Sequence, residues 1–197
     1  MTDAPTKMPP SGASEPTSAK RRAALYGGVA ALAAAAGSGW AWWRLQPHAV
    51  QEQPGQPGAA ATFFTQAFDT PDGGQVQATE FSGKPLLLNF WATWCPPCIA
   101  ELPMLDAFLA EHGTHGWQIL GLAVDQPSAV RKFLERSPVA FPVGMAGLEG
   151  TELTRSLGNL VGGLPFTVVF DAKGQIRHRK MGQLKPEDLR EWAATIT

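Results

Sequence analysis

Leu86-Leu87-Leu88-Asn89-Phe90-Trp91-Ala92-Thr93-Trp94-Cys95-Pro96-Pro97-Cys98-Ile99 is the stretch that decides the fold. Its apolar opening, entered through Gly83-Lys84-Pro85, marks a short strand buried on both faces. Beyond it Ile99, Leu102, Leu105, Phe108 and Leu109 recur at helical spacing and Gly113 supplies a stop, so a helix follows the strand. The junction places Cys95 at a helix N-terminus, where unpaired N–H groups and the helix dipole favour a thiolate over a thiol. Only the thiolate attacks a disulfide. Cys98, one turn further in, is placed to attack the resulting mixed disulfide and release product.

Cysteine occurs nowhere else in the 197 residues. That count excludes a disulfide-stapled miniature fold and a four-cysteine zinc site. A zinc site on Cys95, Cys98, His112 and His115 has a near-finger spacing, but a helix over 99–112 holds Cys98 and His112 about 20 Å apart. Covalent haem needs His directly after the second Cys, and Ile99 stands there. A structural disulfide gains little entropy from so short a loop. A Cu(I) site on the two soft thiolates stays open as the non-enzymatic alternative. His48 and His178 offer no constellation, and His112 and His115 read as helix-end surface residues. With a net charge of −1 there is no basic surplus of the kind nucleic-acid binding needs.

Composition shifts along the chain. Residues 1–59 carry five Lys or Arg against three acids, and residues 60–197 carry eleven against fourteen together with most of the strand-like apolar runs. Residues 1–22, rich in Pro, Ser and Thr without apolar periodicity, read as a disordered cytoplasmic tail. Residues 23–43 hold no charged side chain and are long enough as a helix to cross a bilayer core. Lys20-Arg21-Arg22 before this segment puts the N-terminus in the cytoplasm and the rest outside. Trp40, Trp42 and Trp43 suit the outer interface, which favours a retained signal-anchor. Ala34-Ala35-Ala36 offers the alternative of a cleaved signal and a soluble periplasmic protein. Residues 44–61 read as a flexible linker, and residues 62–197 as one domain large enough for a core.

Within that domain strands and helices alternate. Strands are expected at 86–91, 117–124, near 141–145, at 166–170 and at 175–181, the last two joined by the turn Asp171-Ala172-Lys173-Gly174. Helices are expected after Cys95, over 128–136 and 149–157, and at 186–196 with Pro at its first turn. The pattern is an α/β sandwich with a largely parallel centre.

Asn89 to Cys98, followed by Glu101-Leu102-Pro103, resembles the active-site segment of the thioredoxin superfamily. It is most similar to the membrane-tethered branch of TlpA, ResA and the cytochrome c biogenesis thiol reductases. Gly163-Leu164-Pro165-Phe166-Thr167-Val168-Val169-Phe170-Asp171, with Gly174, Ile176 and Gly182 after it, resembles that branch's second signature. The likeness spans roughly residues 62–197. It implies a thioredoxin-like fold, a central mixed sheet flanked by helices with a strand-helix insertion around 128–145, preceded by the transmembrane helix. It implies that Cys95 attacks and Cys98 resolves through a Cys95–Cys98 disulfide, with no dissociable cofactor and no metal. Pro165 matches a proline held in cis opposite the cysteines, which leaves the carbonyl of Leu164 to pair with a substrate strand. Pro103 matches a helix-kinking proline, and Trp94, Pro96 and Pro97 flank the pair as active-site support. Asn89 stands where thioredoxins proper carry a buried Asp. Glu101 matches an acid near the cysteines that can accept the proton of Cys98, and the competing reading is a solvated helix-surface Glu. A peroxiredoxin pattern is disfavoured, since it needs Pro at Leu88 and Thr at Ala92.

The resemblance implies a thiol-disulfide oxidoreductase working as a reductase, for example of apocytochrome c or a metalloprotein's cysteines. Its partners are protein dithiols or disulfides and a membrane electron donor, because a cysteine pair in an oxidising compartment cycles only when electrons are supplied. The insertion, with Phe133 and Phe141, is expected to select the partner.

Overall fold

Strand β3 (Leu86–Trp91) is buried at every residue, and the rest of the fold is arranged around it. The computed structural model describes residues 55–147 and 150–196. The tail, the proposed span at 23–43 and most of the linker lie outside the described residues. No helix among the described residues is long and apolar enough to cross a membrane.

In chain order the elements are α1 (Ala59–Phe64), β1 (Ala67–Asp69), β2 (Gln75–Gln77), a 3-10 turn (Ala78–Phe81), β3, α2 (Pro96–His112) and a second 3-10 turn (Gly113–His115). They continue with β4 (Gln118–Ala123), α3 (Pro127–Leu134), β5 (Val143–Met145), α4 (Gly150–Ser156), β6 (Phe166–Phe170), β7 (Ile176–Met181) and α5 (Pro186–Thr195). The main sheet has the order β5-β4-β3-β6-β7, and β1 and β2 form a separate antiparallel pair.

β3 pairs with β4, and β4 with β5, in parallel; β3 with β6 and β6 with β7 are antiparallel. The centre is therefore evenly mixed, which corrects the largely parallel expectation. α2 and α3 are crossovers that return the chain to the same end, whereas β6 enters reversed and turns directly into β7.

Alternation along the strands sorts side chains to two faces. Leu87, Trp91, Ile119, Ala123 and Val169 face α2, α3 and α5, where Leu102, Leu105, Phe108, Val130, Leu189 and Trp192 complete one core. Leu86, Leu88, Phe90, Leu120, Leu122, Phe166, Val168 and Phe170 face α1, the β1–β2 pair and Leu157. Gly121 admits the first of these packings: a Cβ there would stand 2.9 Å from the Phe141 ring. On the other face a Cβ at Gly144 would meet Phe68 at 2.8 Å and Val76 at 3.2 Å, so the hairpin seats on that glycine.

The helix α1 opens at Ala59, inside the stretch expected to be linker, and buries Ala59 and Phe63. The Gln56 N–H already donates to the Ser156 carbonyl at 2.8 Å. Ordered structure thus begins ahead of residue 62, because Phe63 supplies an aromatic anchor that stacks on Phe170 with ring centroids 5.2 Å apart.

Candidate active site

Cys95 is the N-cap of α2, and Pro96 and Pro97 occupy the first two helical positions. Proline suits the first turn because an N–H there has no intrahelical partner. Two prolines in succession leave Cys98 as the first helical residue with an amide hydrogen. The helix start is closed by the Cys95 N–H donating to the Ala92 carbonyl at 3.2 Å and the Ile99 N–H donating to the Cys95 carbonyl at 3.1 Å. Cys95 and Cys98 are joined by a disulfide with the S–S bond at 2.02 Å and the Cα atoms 5.3 Å apart. Cys95 is 4% exposed and Cys98 wholly buried, while Trp94 beside them is 65% exposed.

The approach to the cysteines is pinned by Asp125, just beyond β4. Its Oδ2 accepts from the Thr93 N–H at 2.9 Å and the Thr93 hydroxyl at 2.5 Å, and its Oδ1 accepts from the Gln126 N–H at 2.7 Å. One carboxylate holds the ends of β3 and β4 together below Trp94.

Glu101 is buried, which overturns the solvated-surface reading. It lies three residues beyond Cys98 on α2, on the same helix face. Oε1 accepts from Asn89 Nδ2 at 2.8 Å, and Oε2 accepts from the Leu184 N–H at 2.8 Å. Asn89 Nδ2 also donates to Thr167 Oγ1 at 3.1 Å. Burial is the dominant influence on the carboxyl and raises its pKa above the ordinary value, against the opposing pull of the Leu184 and Asn89 donors.

The Leu164–Pro165 peptide bond is cis. β3 pairs antiparallel with β6 and matches Phe90 with Phe166, so Pro165 lies at the sheet end from which the chain leaves Trp91 for Cys95. The Pro165 carbonyl accepts from the Gly182 N–H at 2.9 Å. Asn159 organises the loop before it: Nδ2 donates to the Gly163 carbonyl and Oδ1 accepts from the Gly162 N–H, both at 2.8 Å. Gly162 takes φ +69, a left-handed turn that costs glycine little. Leu160 and Val161 stand exposed on this loop.

Pro103 sits inside α2, which continues unbroken to His112. That continuity separates Cys98 from His112 by about 20 Å, so the finger-like spacing does not converge. His112 instead packs on Phe108 with ring centroids 4.6 Å apart, and His178 stacks on Trp192 at 5.5 Å. The insertion forms α3 and β5, with Phe133 against Trp91 at 5.5 Å.

Sequence reasoning missed four residues: Asp125, Asn159, Thr167 and the Leu184 amide. Asp125 had a readable signal, an acid just past the C-terminal end of a parallel strand, where α/β folds build sites. The other three follow from the register of β3 with β6 and from where the chain after β7 lands.

The Redoxin family pattern matches residues 56–196. The thiol-disulfide oxidoreductase ResA of Bacillus thuringiensis subsp. konkukian (strain 97-27) is 31% identical over 127 residues, which are 64% of this chain and 71% of ResA. The sporulation thiol-disulfide oxidoreductase A of Bacillus subtilis (strain 168) is 26% identical over 156 residues, 77% of this chain and 88% of that protein. For the fold, a thioredoxin family thiol:disulfide interchange protein from Chlorobium tepidum TLS superposes with a TM-score of 0.61 at 24% identity, covering 75% of this chain and 97% of that one. With its Cys95–Cys98 disulfide at the start of α2, the chain belongs to the Redoxin family and is a thiol-disulfide oxidoreductase of the TlpA/ResA-like branch of the thioredoxin superfamily.

Proposed function

We propose that the protein reduces disulfides of exported proteins at the outer face of a bacterial inner membrane. The observation that carries this reading is the Cys95–Cys98 disulfide at the start of α2 with the buried Glu101 carboxyl one turn beyond it. In the reduced protein the Cys95 thiolate attacks one sulfur of a substrate disulfide. A mixed disulfide forms, and the other substrate sulfur leaves as a thiolate. The Cys98 thiol then gives its proton to the Glu101 carboxylate, and the Cys98 thiolate attacks Cys95 Sγ. The second substrate thiolate leaves and the Cys95–Cys98 disulfide returns, two electrons having passed to the substrate. A membrane dithiol donor restores the reduced pair. Burial helps Glu101 here, since a carboxyl with a raised pKa is a stronger base once ionised.

Beside the cis Pro165, Leu164 offers its carbonyl to an incoming peptide, with Trp94, Pro96 and Pro97 bordering the contact. The substrates are the cysteines of apocytochrome c or of another exported metalloprotein, and the likeness to ResA supports the reducing direction. The uncharged segment 23–43 behind Lys20-Arg21-Arg22 supports anchoring with the domain in the periplasm.

The direction is tested by the reduction potential of the full chain, equilibrated against dithiol buffers and followed by tryptophan fluorescence. A value at or below about −250 mV is expected of a reductase; one near −120 mV marks an oxidant and overturns the reading. Stoichiometric retention of Cu(I) without disulfide turnover would overturn it in favour of copper handling.

A further inference from the structure

Asn89 is buried with its donors and acceptor unequally used. Nδ2 donates twice, to Glu101 Oε1 and to Thr167 Oγ1, while Oδ1 is buried without a hydrogen-bond partner among the described residues. An orphaned buried carbonyl costs stability, so its persistence calls for a reason.

The reason lies in what surrounds Glu101. Asn89 from β3 and the Leu184 amide from the segment after β7 bond it directly, Thr167 from β6 bonds the same Asn89 nitrogen, and Cys98 lies one turn before it on α2. No charged side chain contributes to the shift of its pKa. Both carboxylate oxygens face donors, Asn89 Nδ2 on one side and the Leu184 N–H on the other. This cage suits an ionised carboxylate. A protonated Glu101 needs an acceptor for its own O–H, and Oε2 cannot turn that hydrogen toward the Leu184 N–H. The proton therefore belongs on Oε1, where Asn89 presents hydrogens.

Turning the Asn89 amide by half a revolution about its last side-chain bond removes that conflict. Oδ1 then takes the place of Nδ2 and accepts from the Glu101 O–H. Thr167, whose hydroxyl both donates and accepts, changes from acceptor to donor toward the same oxygen. In each orientation the inner end of the amide makes two hydrogen bonds and the outer end none. The orphaned Oδ1 is the mark of a side chain that serves two states by exchanging its ends.

We propose that Asn89 is a positioning residue whose side-chain amide reverses when Glu101 gains or loses a proton, with Thr167 following. The proposal rests on the reading of Glu101 as the proton acceptor for Cys98 and deepens it. It explains how a carboxyl sealed from water can hold either protonation state inside one set of neighbours.

The chain contains only two asparagines, Asn89 and Asn159, so a full chain labelled in asparagine and glutamate shows two side-chain amide pairs. Asn159 is the internal reference, because both ends of its amide are already bonded to main chain. The oxidised protein is titrated by NMR, so that Cys98 does not titrate beside Glu101. Above the Glu101 midpoint, the Asn89 amide protons show cross-relaxation to the Glu101 and Thr167 side chains. Below it those cross-peaks are lost, with the same midpoint as the Glu101 carboxyl carbon, while the Asn159 pair is unchanged. In Glu101→Gln the dependence disappears. Cross-peaks that persist on both sides of the midpoint overturn the proposal, as does a Glu101 that takes up no proton until the pH falls below the ordinary glutamate range. The parent reading fails separately: if Glu101→Gln keeps the wild-type pH profile of substrate reduction, Glu101 is not the proton acceptor, whatever Asn89 does.

Discussion

The two faces of the main sheet are built from the same strands yet differ in kind. Toward α1 and the β1–β2 pair the packing is almost wholly apolar, with Phe63 stacked on Phe170 and Phe90 on Phe166, and Gln118 at the start of β4 is a polar exception that strand alternation turns to this side. Toward α2 the same strands set Asn89 and Thr167 among the apolar residues, and the helix adds Cys95, Cys98 and Glu101. Of the three buried side-chain atoms without a hydrogen-bond partner among the described residues, Asn89 Oδ1 and Trp91 Nε1 lie on this second face and Gln118 Oε1 on the first. Buried polar groups cost stability, so the face with the chemistry is the weaker contributor and the aromatic face offsets it. Function and stability thus occupy opposite sides of one layer.

Substitutions on the two sides should separate cleanly. Cys95→Ser removes the attacking sulfur and is expected to abolish turnover of a model protein disulfide, while Cys98→Ser leaves a mixed disulfide that accumulates on a non-reducing gel. Persistent turnover in Cys95→Ser breaks the assignment of roles. Phe170→Ala, on the aromatic face, removes a fully buried ring stacked on Phe63 and is expected to cost about 3–5 kcal/mol in urea unfolding. The rate per folded molecule should stay at the wild-type level. A loss of rate beyond the loss of folded protein would join the two faces into one functional unit.

The same division decides what was legible. β3, α2 and the β6–β7 pair were readable because each carries a long apolar run or a full helical period. The β1–β2 pair and α1 were not: each strand has three residues with a single one buried, too few for an alternation to register. Cys95 and Cys98 were visible as a spacing, and the resemblance anticipated the cis bond at Pro165. The state of Glu101 was not legible. A Glu on a helix reads as solvated until one knows that Leu184, far along the chain, lands on its Oε2. Asn89 read as a substitution for a familiar Asp, and its double donation depended on the pairing of β3 with β6.

Glu101→Gln sharpens the contrast at an intermediate scale. Gln keeps the shape and takes no proton. Resolution of the mixed disulfide is expected to slow by on the order of 10²-fold, the lower range for a lost general base, with the attack by Cys95 less affected. Stopped-flow measurement of the two steps distinguishes them. Equal slowing of both steps assigns Glu101 to the shape of the site instead of proton transfer.

The smallest expected effect is a slope of stability against pH. Burial raises the folded-state pKa of Glu101 above the value of about 4.5 that an unfolded glutamate keeps. Below that unfolded value both states hold the proton, and Glu101 imposes no penalty. As the pH rises further, the unfolded chain releases its proton first while the folded protein retains it. Stability therefore falls until the folded-state pKa is passed and stays level beyond it, since the slope follows the protons bound unfolded minus those bound folded. Glu101→Gln has no proton to release, so the difference in urea-unfolding free energy between wild type and variant isolates this residue from all other carboxylates. It should drift in the variant's favour as the pH rises through that window, in oxidised protein where Cys98 does not titrate. A drift of the opposite sign would mean that the Asn89 and Leu184 donors outweigh burial and hold Glu101 ionised. The polar face would then add to stability at neutral pH, and its contrast with the aromatic face would be one of chemistry alone.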